Sequence, residues 1–332
     1  MVIGFLGTPA FAVPSLEALI HSSHDVAVVV SQPDRPKGRG QQVQPTPTKL
    51  VAGAHGIPVL QPAKIRDDAF LDRIRAIAPD LGVVVAYGRI LPDALLAIPR
   101  FGMINVHASV LPRYRGAAPI QRAMLAGETE TGVTIMRVET ELDAGPTFAT
   151  RTVPIPPDAT SGDMAAVLAT LGAELLIPVV DDIAAGRAKA TPQDHARATF
   201  APKVTKQEGV IDWREPAEAV HNRVRALQPW PLASTGLGGV RHVIRNSVPV
   251  RQRTIRDGVG SDPGLALHPL SSGSDPVSGT ILRAHGDELI VACGGGTALR
   301  ILEIQPEGRR TMTAREFVAG RGPLEGIRFG PP

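Results

Sequence analysis

Apolar residues in the first 200 positions fall into two alternating patterns. Short, nearly unbroken runs (VIGFLG, DVAVVVSQ, DLGVVVAYG and GMINVHA) read as strands buried on both faces. Between them, FAVPSLEALIHS, TKLVAGAHG, DDAFLDRIRAI and GAAPIQRAMLAG have helical spacing. Thr8 and Pro9 stand where a helix N-cap and first-turn proline belong, and Gly56 where a helix stops. IPVL, TGVTIMRV and TFATRTVPI add strands, and SGDMAAVLATLGAELLIPVVDDIAAG adds a long helix. This alternation predicts an α/β domain over residues 1–202: a Rossmann-like, doubly wound, mostly parallel sheet with helices on both faces.

The pattern then changes. HARATFAPKVTKQEGVIDW has little periodicity and reads as a linker, with the stretch between domains set at 203–213. EPAEAVHNRVRALQPWP reads as an amphipathic helix stopped by Pro229 and Pro231. VRHVIRNSVPVR, GTILRAHGDELIVACGGG and TALRILEIQ then alternate as short strands between turn residues. They predict a C-terminal OB-like β-barrel over 214–332, with the breaker-rich stretch 254–279 as a long loop within it.

Composition narrows the function classes. Runs such as VAVVV and LGVVVAY fall well short of the roughly 20 apolar residues a membrane helix needs, and the N-terminus shows no signal-peptide pattern, so no membrane span or secretion is expected. The single cysteine, Cys293, can form no intrachain disulfide, which suits a reducing cytoplasm. No G-x-G-x-x-G or P-loop occurs, so nicotinamide and ATP chemistry find no support; no zinc-type spacing occurs either, though His and Asp residues leave a His/carboxylate metal site open. Residues 1–202 carry 18 Lys and Arg against 19 Asp and Glu, whereas residues 203–332 carry 17 against 13. Such a basic second half is ordinary solvated surface or a patch for a polyanion.

Asn105 and His107, two positions apart on one strand, project to the same face at its C-terminal end, where ligands bind in open α/β sheets. A lone histidine there is as readily a hydrogen-bonded structural residue. Asp143, in the turn ETELDAGP, follows His107 by 36 residues, the length of one βαβ unit returning beside the first strand. A carboxylate near the ring orients it and favours its charged form, and an adjacent amide can donate to a developing oxyanion. Asn, His and Asp together suit acyl transfer to an external amine, and no G-x-S-x-G serine competes for the role.

NVHASVLPRYRGAAPIQRAM, followed by ETGVTIMRVETELDAGP, resembles the folate-dependent formyltransferases. The likeness runs over nearly the full length, through QPDRPKGRG, FAPKVTKQEGVIDW and RVRALQPWPLA, and weakens over 252–280. The H-x-S-x-L-P and R-G-x-x-P elements are specific to that family, and the remaining segments are similar to its members that act on initiator tRNA. The resemblance implies 10-formyltetrahydrofolate as co-substrate, initiator methionyl-tRNA as acceptor, no bound cofactor or metal, no membrane partner and a monomer. It implies Asn105, His107 and Asp143 as the catalytic set, and Ser109, Val110, Leu111 and Pro112 as the folate-site lining. Val110 and Tyr114 stand where the family usually carries Leu and Trp. It further implies that the loop QPDRPKGRGQQVQPTP, with Arg35, Lys37 and Arg39, reaches the tRNA acceptor end. Lys203 and Lys206 would lie along the tRNA path, and Arg241, Arg245 and Arg300 on the barrel would meet phosphates. Two alternatives share parts of this reading: a formyltransferase acting on a small amine, and an RNA-binding module with an inactive α/β domain.

Overall fold

The computed structural model describes residues 1–37, 42–250 and 276–331. Arg39 and most of the long loop expected at 254–279 lie outside the described residues. The chain divides into two compact units. The first comprises Met1–Ala123, Thr129–Pro157 and Gly162–Lys203, and the second Met124–Glu128, Asp158–Ser161 and Val204–Pro332.

The chain runs through β1 (Val2–Gly7), α1 (Val13–Ile20), β2 (Asp25–Val30), β3 (Arg35–Lys37), β4 (Gln42–Gln44), α2 (Pro47–Ala54), β5 (Val59–Leu60) and α3 (Asp68–Ile77). There follow β6 (Leu81–Val85), α4 (Asp93–Leu96), β7 (Met103–His107), α5 (Pro119–Leu125), β8 (Glu130–Arg137), β9 (Thr147–Pro154) and α6 (Ser161–Ala184). Seven strands form one sheet in the order β5-β2-β1-β6-β7-β8-β9. The first five are parallel, and their Val- and Ile-rich sequences are buried on both faces, as helices on each side require. β3 and β4 pair with each other as a separate hairpin.

Two expectations change here. Thr8 does not cap a helix: its hydroxyl donates to the Tyr87 carbonyl and accepts from the Gln32 amide, so it ties together the ends of three strands. β8 does lie beside β7, but antiparallel, with His107 opposite Thr134. The connecting α5, with seven residues, spans only about 10 Å. β7, with five, covers about 16 Å, so the helix by itself is shorter than the strand it would retrace.

The expectation that no apolar stretch is long enough to span a bilayer is also corrected. By length and composition the 24-residue α6 qualifies, with a window of mean hydropathy 1.8, but half of that window is buried within the structure. A Cβ at Gly172 would lie 2.6 Å from Val106 and 3.5 Å from Val133, so the helix rests directly on β7 and β8. Its apolarity serves the core of the sheet.

The second unit contains α7 (Ala217–Ala226), β10 (Ala233–Leu237), β11 (Val240–Val250), β12 (Ile281–His285), β13 (Glu288–Ala292), β14 (Ala298–Pro306), β15 (Met312–Thr313) and α8 (Ala314–Ala319). Its antiparallel sheet runs β10-β11-β14-β13-β12, with β15 on β14. The segment Arg328–Gly330 closes the two free edges on each other. Gly236 of β10 pairs with Gly330, and Thr280, just before β12, pairs with Arg328. Val220 and Val224 of α7, with Ile244, Leu299, Ile301 and Phe317, build the core inside this barrel. The end of the expected linker belongs here too: Trp213 stacks on Phe329 at 5.6 Å, and its indole N–H donates to Thr235 Oγ1 at 3.0 Å.

Candidate active site

The C-terminal ends of the parallel strands open on one side of the first unit, where an open α/β sheet places its ligand site. Asn105 and His107 occupy the end of β7 there. The Asn105 side chain is half-buried and makes no hydrogen bond within the described residues, which leaves its amide available to a ligand. The His107 ring is 5% exposed. Its Nε2–H donates to the Tyr114 carbonyl at 3.0 Å, which assigns that proton, since a carbonyl only accepts. Its Nδ1 faces Asp143 Oδ2 at 3.7 Å.

Asp143 arrives from the loop between β8 and β9 with a positive φ of 49°, a conformation Asp tolerates because its short side chain bonds locally. Here that bond comes from another segment: the Gly116 N–H donates to Asp143 Oδ2 at 2.8 Å. Gly116 itself has φ 125°, and a Cβ there would lie 2.7 Å from the Ala201 carbonyl oxygen, so glycine is required on both counts.

Of the expected folate-lining residues, the structure distinguishes two kinds. The Ser109 hydroxyl is fully buried and donates to the Arg113 carbonyl at 2.6 Å, while its own carbonyl accepts from Thr134 Oγ1 at 2.8 Å. Leu111 is buried as well, and its N–H donates to the same Thr134 oxygen at 3.2 Å. These two shape the loop, whereas Val110 and Pro112 keep accessible surface. The expected tRNA residues are dispersed. Arg35 and Lys37 lie on the β3–β4 hairpin, Arg35 opposite Gln44. Exposed Lys203 ends the first unit, and Lys206 precedes the short turn Gln207–Gly209 in the second. On the barrel, Arg241 sits near the start of β11, whereas Arg300 faces Val248 near its end. Arg245 lies at the bulge between them.

Sequence reasoning missed several residues. Arg115 is 2% exposed and among the largest fully buried side chains. Gln193, buried as well, joins it to the Asp143 loop. Thr199 Oγ1 accepts from the Tyr114 N–H at 2.9 Å, and Phe200 pairs with Arg115 in a short parallel bridge. Residues 193–201, of which 195–201 were read as aperiodic, are thus laid along the site loops. The only sequence signal for any of these was the R-G pair itself. Among the described residues, no group of three or more His, Cys, Asp or Glu is placed to hold a metal ion.

Residues 1–180 match the family Formyl transferase, and residues 203–322 match Formyl transferase, C-terminal domain. The chain belongs to the formyltransferase family. It is 47% identical over 330 residues to the methionyl-tRNA formyltransferase of Methylococcus capsulatus, covering 99% of this chain and 100% of that one. It is 44% identical over 328 residues to the methionyl-tRNA formyltransferase of Pelobacter propionicus, covering 99% and 96%. Among solved structures, the N-formyltransferase of Helicobacter canadensis, in complex with folinic acid and dTDP-3-aminofucose, superposes with a TM-score of 0.63 at 15% identity, over 91% of this chain and 99% of that one. At that identity the superposition speaks for the fold alone.

Proposed function

We propose that the chain transfers a formyl group from 10-formyltetrahydrofolate to the α-amino group of methionine on initiator methionyl-tRNA, with Asn105, His107 and Asp143 as its catalytic set. The observation that carries the reading is the uncommitted Asn105 amide two residues from a His–Asp pair at a strand end, in a chain alike over its full length to methionyl-tRNA formyltransferases. The methionyl nitrogen bonds to the formyl carbon, and the carbonyl electron pair moves onto oxygen. Asn105 donates an N–H to that oxyanion. His107 supplies a second donor, its Nε2–H passing from the Tyr114 carbonyl to the formyl oxygen as the donor seats. Asp143 holds the other edge of the ring. When the tetrahedral intermediate collapses, the bond from carbon to the folate nitrogen breaks. That nitrogen leaves with a proton originating on the amine, and the products are N-formylmethionyl-tRNA and tetrahydrofolate. The folate is a co-substrate, consumed once per turnover.

Within this reading, residues 1–202 carry the chemistry, 203–213 link, and 214–332 hold tRNA. Val110 and Pro112 face the folate, with Ser109 and Leu111 supporting them. The enzyme works in the cytoplasm, as a monomer. Steady-state kinetics on Asn105→Ala and His107→Ala, with folding verified by circular dichroism, test the assignment. Each is expected to lose about 10²–10³ in kcat, the usual cost of one oxyanion donor. Near-normal turnover in both removes it.

A further inference from the structure

Three consecutive residues, Tyr114, Arg115 and Gly116, each reach the His–Asp pair by a different route. The Tyr114 carbonyl accepts from His107, and the Gly116 N–H donates to the Asp143 carboxylate. The Arg115 guanidinium turns away from solvent and takes Gln193 as its partner: Nη2 donates to Gln193 Oε1 at 2.8 Å and Nε to the same oxygen at 3.2 Å. This orients the Gln193 amide, whose Nε2 then donates to two backbone carbonyls of the catalytic loop, Asp143 at 2.9 Å and Gly145 at 2.7 Å. Arg115 Nη1 also lies 3.4 Å from Glu141 Oε1 on the same loop, and Nη2 3.4 Å from His195 Nδ1.

From this network we infer that Gln193 is a positioning residue for formyl transfer, setting the backbone of the Asp143 loop so that the carboxylate meets the His107 ring. The Asp143 loop is exposed at Glu141 and Leu142 and turns through a left-handed residue, and its own Ala144 N–H to Glu141 carbonyl bond is long, at 3.4 Å. Besides the Gly116 bond to the Asp143 carboxylate, the loop backbone at Asp143 and Gly145 is held by a buried amide whose N–H groups lie on it and whose oxygen sits on a buried guanidinium. The inference rests on Asp143 being part of the catalytic set, and misplacement by about 1 Å can cost about 10²-fold in rate.

Two variants separate positioning from structure. Gln193→Glu keeps the size and a partner for Arg115 but has no N–H for the Asp143 and Gly145 carbonyls. Gln193→Met removes the donors without adding charge. Both are compared with Asp143→Asn in formylation of methionyl-tRNA, with melting temperature followed in parallel. Both Gln193 variants are expected to fold, to lose at least about 10-fold in kcat, and to change KM for tRNA and folate by less than about threefold. The pH–rate profile of Gln193→Met should move in the same direction as that of Asp143→Asn. Full kcat with only a lowered melting temperature, or failure of both variants to fold, would overturn the inference and leave Gln193 a structural residue. Impaired Asp143→Asn beside unaffected Gln193 variants rejects the inference alone. Near-normal Asp143→Asn removes the catalytic reading and the inference with it.

Discussion

At the scale of single residues, what a polar side chain does here depends on which oxygen or nitrogen it finds. Asn105 and Ser109 lie four positions apart, yet one amide makes no hydrogen bond among the described residues and one hydroxyl is consumed by the loop. His242 of β11 shows the same logic in the second unit. The ring is 1% exposed, packed edge-on against Phe317, with Nδ1–H donating to the Val240 carbonyl at 2.9 Å and Nε2 facing Arg321 Nη2 at 3.5 Å. Burial pushes its pKa below the usual 6.5; the Val240 bond opposes this and the Arg321 charge adds to it. The unfolded ring therefore binds more protons than the folded one just below pH 6.5. His242 stabilises the fold fully above that value and loses the contribution as pH falls below it. Thermal melts from pH 8 to pH 5 should show wild-type stability falling more steeply below 6.5 than that of His242→Gln, and parallel curves would refute the assignment.

At the scale of elements, the β3–β4 hairpin is held at its base rather than along its length. Lys49 of α2 reaches Asp34 at 2.5 Å and Gln61 at 2.8 Å, and the Gln61 amide donates to Asp34 and to the Gln32 carbonyl. The Lys49 ammonium beside Asp34, with the Gln61 hydrogen bond, holds the carboxyl below the usual carboxylate range. This clamp sits immediately before Arg35 and therefore sets where the basic hairpin leaves the sheet. A partly exposed pair of this kind is worth only about 0.2–1 kcal/mol to the fold. Asp34→Asn should accordingly leave the melting temperature nearly unchanged while raising KM for methionyl-tRNA severalfold and leaving KM for the folate alone. A wild-type KM for tRNA would mean that the hairpin needs no anchor.

At the scale of the whole molecule, the barrel arginines expected to meet tRNA are spread out among the described residues. Pairing of β11 with β14 places His242 opposite Pro306 and Val248 opposite Arg300, so Arg241 and Arg300 stand about 20 Å apart along the strand. Under the proposed function, arginines so separated would meet different phosphates. Arg241→Ala and Arg300→Ala should each weaken tRNA binding modestly, reduce the salt slope by about 0.7–0.9, and add in the double variant. Arg39→Ala, in the loop expected at the acceptor end, should cost far more in kcat/KM than its single charge explains, because under the proposed function that loop sets where the amine sits. Kinetics across a salt series decide the matter: similar, small and equally salt-sensitive losses at Arg39 and Arg241 would reduce the loop to charged surface.

Much of the architecture was legible in the chain because burial imposes periodicity. The Val-rich runs of β1, β2 and β6 could be strands only if covered on both faces, and the alternation of 288–292 and 298–306 announced a second, antiparallel unit. Asn105 and His107 were legible for the same reason, since a period of two puts both on one face at a strand end. The direction of β8 was not legible, because a run of buried apolar residues reads the same in either strand direction. Helix α6 was legible as a helix, but the destination of its apolar surface was not until Gly172 set it on the sheet. Arg113 and Arg115 are the same residue type two positions apart, yet one is exposed and the other buried, and Gln193 lies 50 residues from the aspartate whose carbonyl it holds. Local pattern is determined by which face a residue must hide. Long-range hydrogen bonds between loops have no period, so only the tertiary structure decides which polar side chain meets which carbonyl.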